Sequence, residues 1–246
     1  MESKFKLPTE TVELPSKGLL YPEDSPLAKG TIEMKYMTAK EEDILTNANY
    51  IQKGVVIDKL LQSLIVTEGV SYNELLNGDK NAIMIAARIL SYGKDYTVQI
   101  KGKEEVVDLS LLRNKEIDYT LLENRKNEFN LQLPHTDNNV TFKLLSHGDD
   151  TAIEREITGL QKINKDNIAS STTRLKHMIT SVNGLTDKKD IREFVDNYLL
   201  AKDARAIREE YTKVNPDIDL TVYVDGAEEG VDLPITLNFF WPDART

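Results

Sequence analysis

The 246-residue chain has no cysteine, which excludes a disulfide framework, a thiolate metal site and a cysteine nucleophile. Its three histidines, His135, His147 and His177, fall in a proline turn, at a helix start and inside a helix. None has a second imidazole at helical spacing, so no metal site is expected from them. No run approaches the roughly eighteen apolar residues of a membrane span. The opening Met1-Glu-Ser-Lys-Phe-Lys6 has no apolar core behind its charges, so a soluble, cytosolic protein with no membrane partner is the expectation. Basic charge is also in short supply: 31 Lys and Arg against 41 Asp and Glu leave a net charge of −10. That argues against a phosphate-binding surface and against nucleic acid as a partner. Glycine-rich phosphate loops, a nucleophile elbow and a paired-histidine zinc motif are all missing. The expectation is therefore no catalytic residue, no cofactor and no metal ligand.

What the chain does contain is one stretch written twice. Asp95 to Leu109 and Asp219 to Leu233 match without a gap at nine of fifteen positions, where ordinary composition gives roughly one. The copies lie 124 residues apart, about half the chain, which favours two related halves over a solenoid. Each copy reads as a β-hairpin whose glycine opens a two-residue turn, Gly102-Lys103 in the first and Gly226-Ala227 in the second. That turn predicts Val98 opposite Val107 and Tyr96 opposite Leu109, then Val222 opposite Val231 and Leu220 opposite Leu233. Thr97 beside Asp108 and Thr221 beside Asp232 are left on the wet face. An isolated ribbon is marginal in water, so each dry face needs the helices that precede it.

Residues 1–30 read as an extended arm. Pro8, Pro15, Pro22 and Pro26, with Gly18 and Gly30, forbid a helix, while Leu14, Leu19, Leu20 and Tyr21 make the segment sticky. It is expected to lie along its own globular body or in a partner's groove, with Leu14, Pro15, Leu19, Leu20, Tyr21 and Pro22 as candidate contacts. A first half follows over 31–126. Ile32, Met34 and Tyr36 alternate as a strand, and Thr38-Ala-Lys-Glu41 has the form of a capping box. Glu41, Glu42 and Asp43 sit where acids complement a helix dipole, a better account of them than catalysis. Ile57, Leu60, Leu61 and Leu64 form a stripe, and the helix from Asp79 is apolar nearly all round. After a charged crossing at 114–127, the second half, 127–246, repeats the pattern: strand Val140 to Leu144, a cap at Ser146-His-Gly-Asp149, then helices. Leu175, Ile179 and Val182 predict a helix that Gly184 ends, and Asp187 opens another through Ile191, Phe194 and Val195. Phe239, Phe240 and Trp241 crowd the C-terminal end and read as an intramolecular plug or, alternatively, a docking anchor. The fold class is α+β, in two pseudo-equivalent halves of strand, helices and ribbon.

Three places resemble one family: Leu14-Pro-Ser-Lys-Gly18-Leu-Leu-Tyr-Pro22 with Gly30 and Ile32, then Asp203-Ala-Arg-Ala-Ile-Arg208, then Leu233-Pro234 with Phe239-Phe-Trp-Pro242. Together they are similar to the baseplate hub proteins of T-even-like contractile-tailed bacteriophages. The resemblance implies a non-enzymatic structural subunit or assembly factor of the hub, with other hub or tail proteins as partners. It implies synthesis in the host bacterial cytoplasm and, for a structural subunit, a place in the virion baseplate. Relatives that carry Cys-x-x-Cys at each ribbon turn would make zinc ribbons; this chain has Lys101-Gly-Lys103 and Asp225-Gly-Ala227 instead, so the ribbons are expected to be zinc-ribbon-like without cysteines or metal. Bringing the two turns together would then set Lys101 or Lys103 against the acids Glu228 and Glu229. Two other readings stand beside this one: a tail-assembly chaperone absent from the finished virion, and a small-molecule enzyme using acids such as Asp149 and Asp150 in a cleft.

Overall fold

The computed structural model describes residues 7–100, 103–163, 170–223, 230–235 and 237–240. Strand β1 (Thr9–Glu13) pairs antiparallel with β2 (Thr31–Lys35), setting Val12 opposite Ile32. The intervening loop is not the extended arm expected of its prolines. Lys17 and Gly18 both take positive φ, 51° and 74°, and turn the chain back on itself. A short 3-10 turn over Pro26–Lys29 then returns it to Gly30, whose carbonyl accepts the Leu14 amide at 2.9 Å. Prolines forbid an α-helix, but they do not keep a segment straight. Leu14, Leu20, Tyr21 and Leu27 all end in the core.

Helices α1 (Ala39–Leu45), α2 (Ala48–Gln52) and α3 (Val56–Leu64) follow. The capping box forms, with the Thr38 amide donating to Glu41 Oε2 at 3.0 Å. Leu60, Leu61 and Leu64 turn the α3 stripe inward. Helix α4 (Asn77–Tyr92) buries Ala82, Ile83, Ile85 and Ala87, and Arg88 closes its C-terminal end by donating to the Gly93 and Asp95 carbonyls at 2.8 and 3.1 Å. Positive charge at that end also complements the helix dipole.

Strands β3 (Asp95–Ile100) and β4 (Lys103–Asp108) form the first ribbon, in a register two residues away from the expected one. Tyr96 faces Val107 and Val98 faces Glu105, with β3 ending at Ile100 and β4 already begun at Lys103. A slip of two leaves every side chain on its own face, so the dry face survives. Leu109 folds instead into a short turn, its amide donating to the Lys94 carbonyl at 2.8 Å.

The second half opens with a three-stranded antiparallel sheet in the order β5 (Phe129–Gln132), β6 (Asn139–Phe142), β7 (Ile179–Val182). Between β6 and β7 run α5 (His147–Ile163) and α6 (Ser170–Met178). The helix expected to continue through Ile179 and Val182 therefore stops at Met178. Ile-Thr-Ser-Val suits a strand, and the free edge of β6 supplies partners that a helix would forgo, Phe142 for Ile179 and Val140 for Val182. Helix α7 (Lys188–Asn197) is capped by Asp187 and buries Ile191, Phe194 and Val195; α8 (Ala201–Val214) leads to β8 (Thr221–Val222) and β9 (Val231–Asp232). There Val222 lies opposite Val231 and Thr221 opposite Asp232. A last turn, α9 (Leu237–Phe240), buries Phe239 against Tyr96, ring centroids 4.9 Å apart. Among the described residues no helix is long and apolar enough to cross a membrane.

Two glycines fix the N-terminal loop. A Cβ on Gly18 would lie 2.4 Å from the Ala28 carbonyl oxygen, and one on Gly30 would lie 2.7 Å from the Lys17 carbonyl. Gly18→Ala combines left-handed strain with a backbone clash and is expected to cost about 2 to 5 kcal/mol in urea unfolding. A loss under about 1 kcal/mol would show that the loop tolerates reopening.

Candidate protein-contact site

Two fully buried acids organise the interior. Asp79, in the first turn of α4, has no exposed surface and accepts three hydrogen bonds from the N-terminal loop. The Ser16 amide donates to Oδ1 at 2.9 Å, and the Ser16 and Tyr21 hydroxyls donate to Oδ2 at 2.6 Å each. Both hydroxyls are already acceptors, Ser16 Oγ from the Gly18 amide and Tyr21 Oη from the Leu76 amide, so their protons are free to point at the carboxylate. Burial raises the Asp79 pKa against the pull of these donors, and the Asp217 charge raises it further. Burial and the neighbouring carboxylate also push the Tyr21 phenol far upward, so it remains a donor.

Asp203 does the same work in the second half. It too is in the first turn of its helix, α8, and is fully buried. Its donors are the His135 amide at 3.0 Å, His135 Nδ1 at 3.1 Å and the Thr136 hydroxyl at 2.9 Å. Burial opposes ionisation here as well, but the Thr136 and His135 bonds outweigh it and hold the carboxyl below the usual range. Neither acid was singled out from the sequence as a lock. The signal was present, because Leu75-Leu76-x-x-Asp79 and Leu199-Leu200-x-x-Asp203 are also 124 residues apart, and Leu14-Pro15 and Leu133-Pro134 precede the donors in both.

The anchored ribbons meet at their bases. Asn114 and Ile218 form a bridge, flanked by the Asp219 amide on the Arg113 carbonyl at 2.7 Å and the Lys115 amide on the Asp217 carbonyl at 2.8 Å. Above it a groove of about 360 Å³ opens between β4 and β8, lined in part by Val106, Val107, Leu111, Leu112 and Tyr223. Val106 and Leu111 are 67% exposed and Tyr223 is 82% exposed. Hydrogen-bonded pairs alternate along a ladder, so Val106 and Tyr223 turn their backbone groups to the open edges. The ribbon turns, with Lys101, Gly102, Gly226, Glu228 and Glu229, lie outside the described residues, as does the expected lysine–acid contact there.

The residues expected to touch a partner lie elsewhere. Leu14, Pro15, Leu20 and Tyr21 are buried, Leu19 is half-buried and Pro22 is exposed; Phe239 and Phe240 have no exposed surface, and Trp241 lies outside the described residues. The buried members pack on the chain's own body, the first of the two outcomes expected for the N-terminal segment and for the aromatic pair. Asp149 and Asp150 are engaged as well. Asp149 caps Ser146 and pairs with Lys143 at 2.7 Å, and Asp150 pairs with Arg174 at 3.1 Å. Among the described residues no group of three acids or histidines is placed to hold a metal ion.

His147 marks the contact between the halves. Its ring is edge-on to Tyr72 at 4.7 Å, with Nε2 3.4 Å from Asp58 and Nδ1 3.4 Å from Lys80. Burial lowers its pKa; Asp58, Asp150 and Glu154 oppose this, and Lys80 reinforces it. The unfolded chain therefore binds the proton first, so stability is lost as pH falls through about 6.5 toward the folded value. His147→Gln should flatten the stability profile over that window, and an unchanged slope would remove His147 as its source. Asp79→Ala strands three donors, each costing about 1 to 3 kcal/mol. Against a typical total of about 5 to 15 kcal/mol, it should abolish or nearly abolish cooperative unfolding by circular dichroism.

No curated protein and no solved structure gives a significant match to the chain. A family model described as T4 bacteriophage base plate protein matches residues 8–241, from the start of the N-terminal loop past the aromatic pair. Both buried locks and both ribbons fall within that match, and the chain belongs to the T4 bacteriophage base plate protein family.

Proposed function

We propose that this protein is a non-enzymatic component of the phage baseplate hub, a structural subunit or assembly factor, built as two copies of one unit and acting through protein contacts. The duplication reading is supported by more than the ribbons. Lys35 pairs with the capping Glu41 at 2.8 Å, as Lys143 does with the capping Asp149 at 2.7 Å. A strand, a Leu-Pro turn and a second strand stand at the start of each unit, and the turn's amide donates to the buried acid of the later helix in both. On this reading the first unit begins at β1 rather than at residue 31, and residues 16–30 are an enlarged β1–β2 loop.

The observation that carries the functional reading is the groove between the ribbons. Val106, Leu111 and Tyr223 expose apolar area beside two open strand edges, while the acids inside the chain are committed to structure. Such a surface favours contact with other baseplate or tail proteins.

Val106→Asp combined with Tyr223→Ser should leave the unfolding free energy within about 0.5 kcal/mol of the parent, because both side chains are exposed. The same variant should fail to co-purify with hub and tail proteins from infected cells; full retention would locate the contact elsewhere. Mass spectrometry of purified virions separates the two hub roles. A fixed copy number identifies a subunit, and absence identifies a factor that departs before the tail is finished.

A further inference from the structure

Besides the bridge at the ribbon bases, the two units meet at a second junction, and each carries half of that junction again at its far end. Leu76 and Ser146 form an antiparallel bridge, in which the Asn77 amide donates to the Leu145 carbonyl at 3.2 Å and the His147 amide to the Leu75 carbonyl at 2.8 Å. Two glycines allow the backbones to come this close. A Cβ on Gly148 would lie 2.9 Å from the Asn73 carbonyl oxygen, and one on Gly78 would lie 1.9 Å from that of Pro216.

Resting on the duplication proposed above, Asn73-Glu-Leu-Leu-Asn-Gly78 corresponds to Asn197-Tyr-Leu-Leu-Ala-Lys202, and Ser146-His-Gly-Asp149 to Thr38-Ala-Lys-Glu41. The second unit thus ends in an edge like the one at Leu76, and the first begins with an edge like the one at Ser146. Both are open. Leu200 is 49% exposed where Leu76 is 4% exposed. Among the described residues, the Leu199 carbonyl, the Ala201 amide, the Met37 carbonyl and the Ala39 amide have no backbone partner. These are the counterparts of the four groups that pair at the junction. A second copy of the chain presents the complementary edge, and a head-to-tail contact of this kind propagates into a ring or a filament.

At both open edges, however, lysine replaces the glycine. We infer that Lys40 and Lys202 are stops that prevent the internal junction from being repeated between copies of the chain. A Cβ at either position would meet the facing copy's backbone as closely as it would at Gly148 or Gly78, and backbone on both sides leaves little room to yield. Repeat arrays end in altered terminal units and sheet proteins guard their edges for the same reason. The chain is, in these terms, an array closed at two units.

Light scattering and sedimentation of designed variants test this. The parent should remain at 27.9 kDa, while Lys40→Gly with Lys202→Gly should give larger, concentration-dependent species. Lys40→Ala with Lys202→Ala should stay monomeric, since the obstacle is the Cβ and not the charge. Mixing the single variants Lys40→Gly and Lys202→Gly should yield a dimer and nothing larger, because the remaining lysines block both outer ends. That mixture also serves if the double glycine variant fails to fold. A self-associating parent, a monomeric mixture, or assembly of the alanine variant would each overturn the inference. Gly148→Lys tests the underlying reading separately: it should destabilise the chain, and an unchanged unfolding midpoint would overturn the junction as described, independently of the stops.

Discussion

A carboxylate with no exposed surface is tolerated only when its oxygens are satisfied, and Asp79 imposes that requirement on much of the first half. Meeting it demands the Ser16 amide and hydroxyl and the Tyr21 hydroxyl together. The chain must therefore turn tightly at Lys17 and Gly18, return through Gly30, and seat Leu14 and Leu20 in the core. Charge-assisted bonds are the strong ones, and here they determine a path as well as contribute energy. The family motif at the start of the chain is thus a set of ligands for one buried oxygen pair, and the glycines within it provide the necessary space.

Asp203 meets the same constraint with a shorter loop and different donors. His135 and Thr136 take the positions that Ser16 and Tyr21 fill at Asp79, and the balance between burial and hydrogen bonding tips the other way. Both helices are preceded by two leucines and carry an acid at the third helical position, yet only the first pair of leucines is fully enclosed. Leu75 and Leu76 are covered by the second half, whereas Leu200 is open. On the duplication proposed, the two units differ in their surroundings because one copy of each edge is used inside the molecule.

Inside and outside consequently carry different roles. Within the motifs Ser16, Tyr21 and Asp203 face inward and form the two locks, so altering them reports on folding. Contact with other baseplate proteins falls, on the reading proposed, to residues outside those motifs, such as Val106 and Tyr223, which hang from ribbons anchored at their bases by main-chain bonds. A rigid base and an open edge suit a surface meant to accept another chain.

The sequence by itself determined what depends on neighbours a few residues away. Helix stripes, the caps at Thr38, Ser146 and Asp187, and the alternation of the ribbons follow from periods of 3.6 and 2 and from short-range hydrogen bonding. Repetition at a spacing of 124 exposed the ribbons, and the same spacing contained the locks, though nothing local marks an aspartate near a helix start as buried. Tertiary structure decided the rest. The free edge of β6 turned Ile179 to Val182 into a strand, and a distant carboxylate drew a proline-rich loop into the core. The first ribbon's register moved by two because both registers keep the same face dry, and only packing distinguishes them. Long-range partners fixed each of these outcomes, and such partners leave no period in the local sequence.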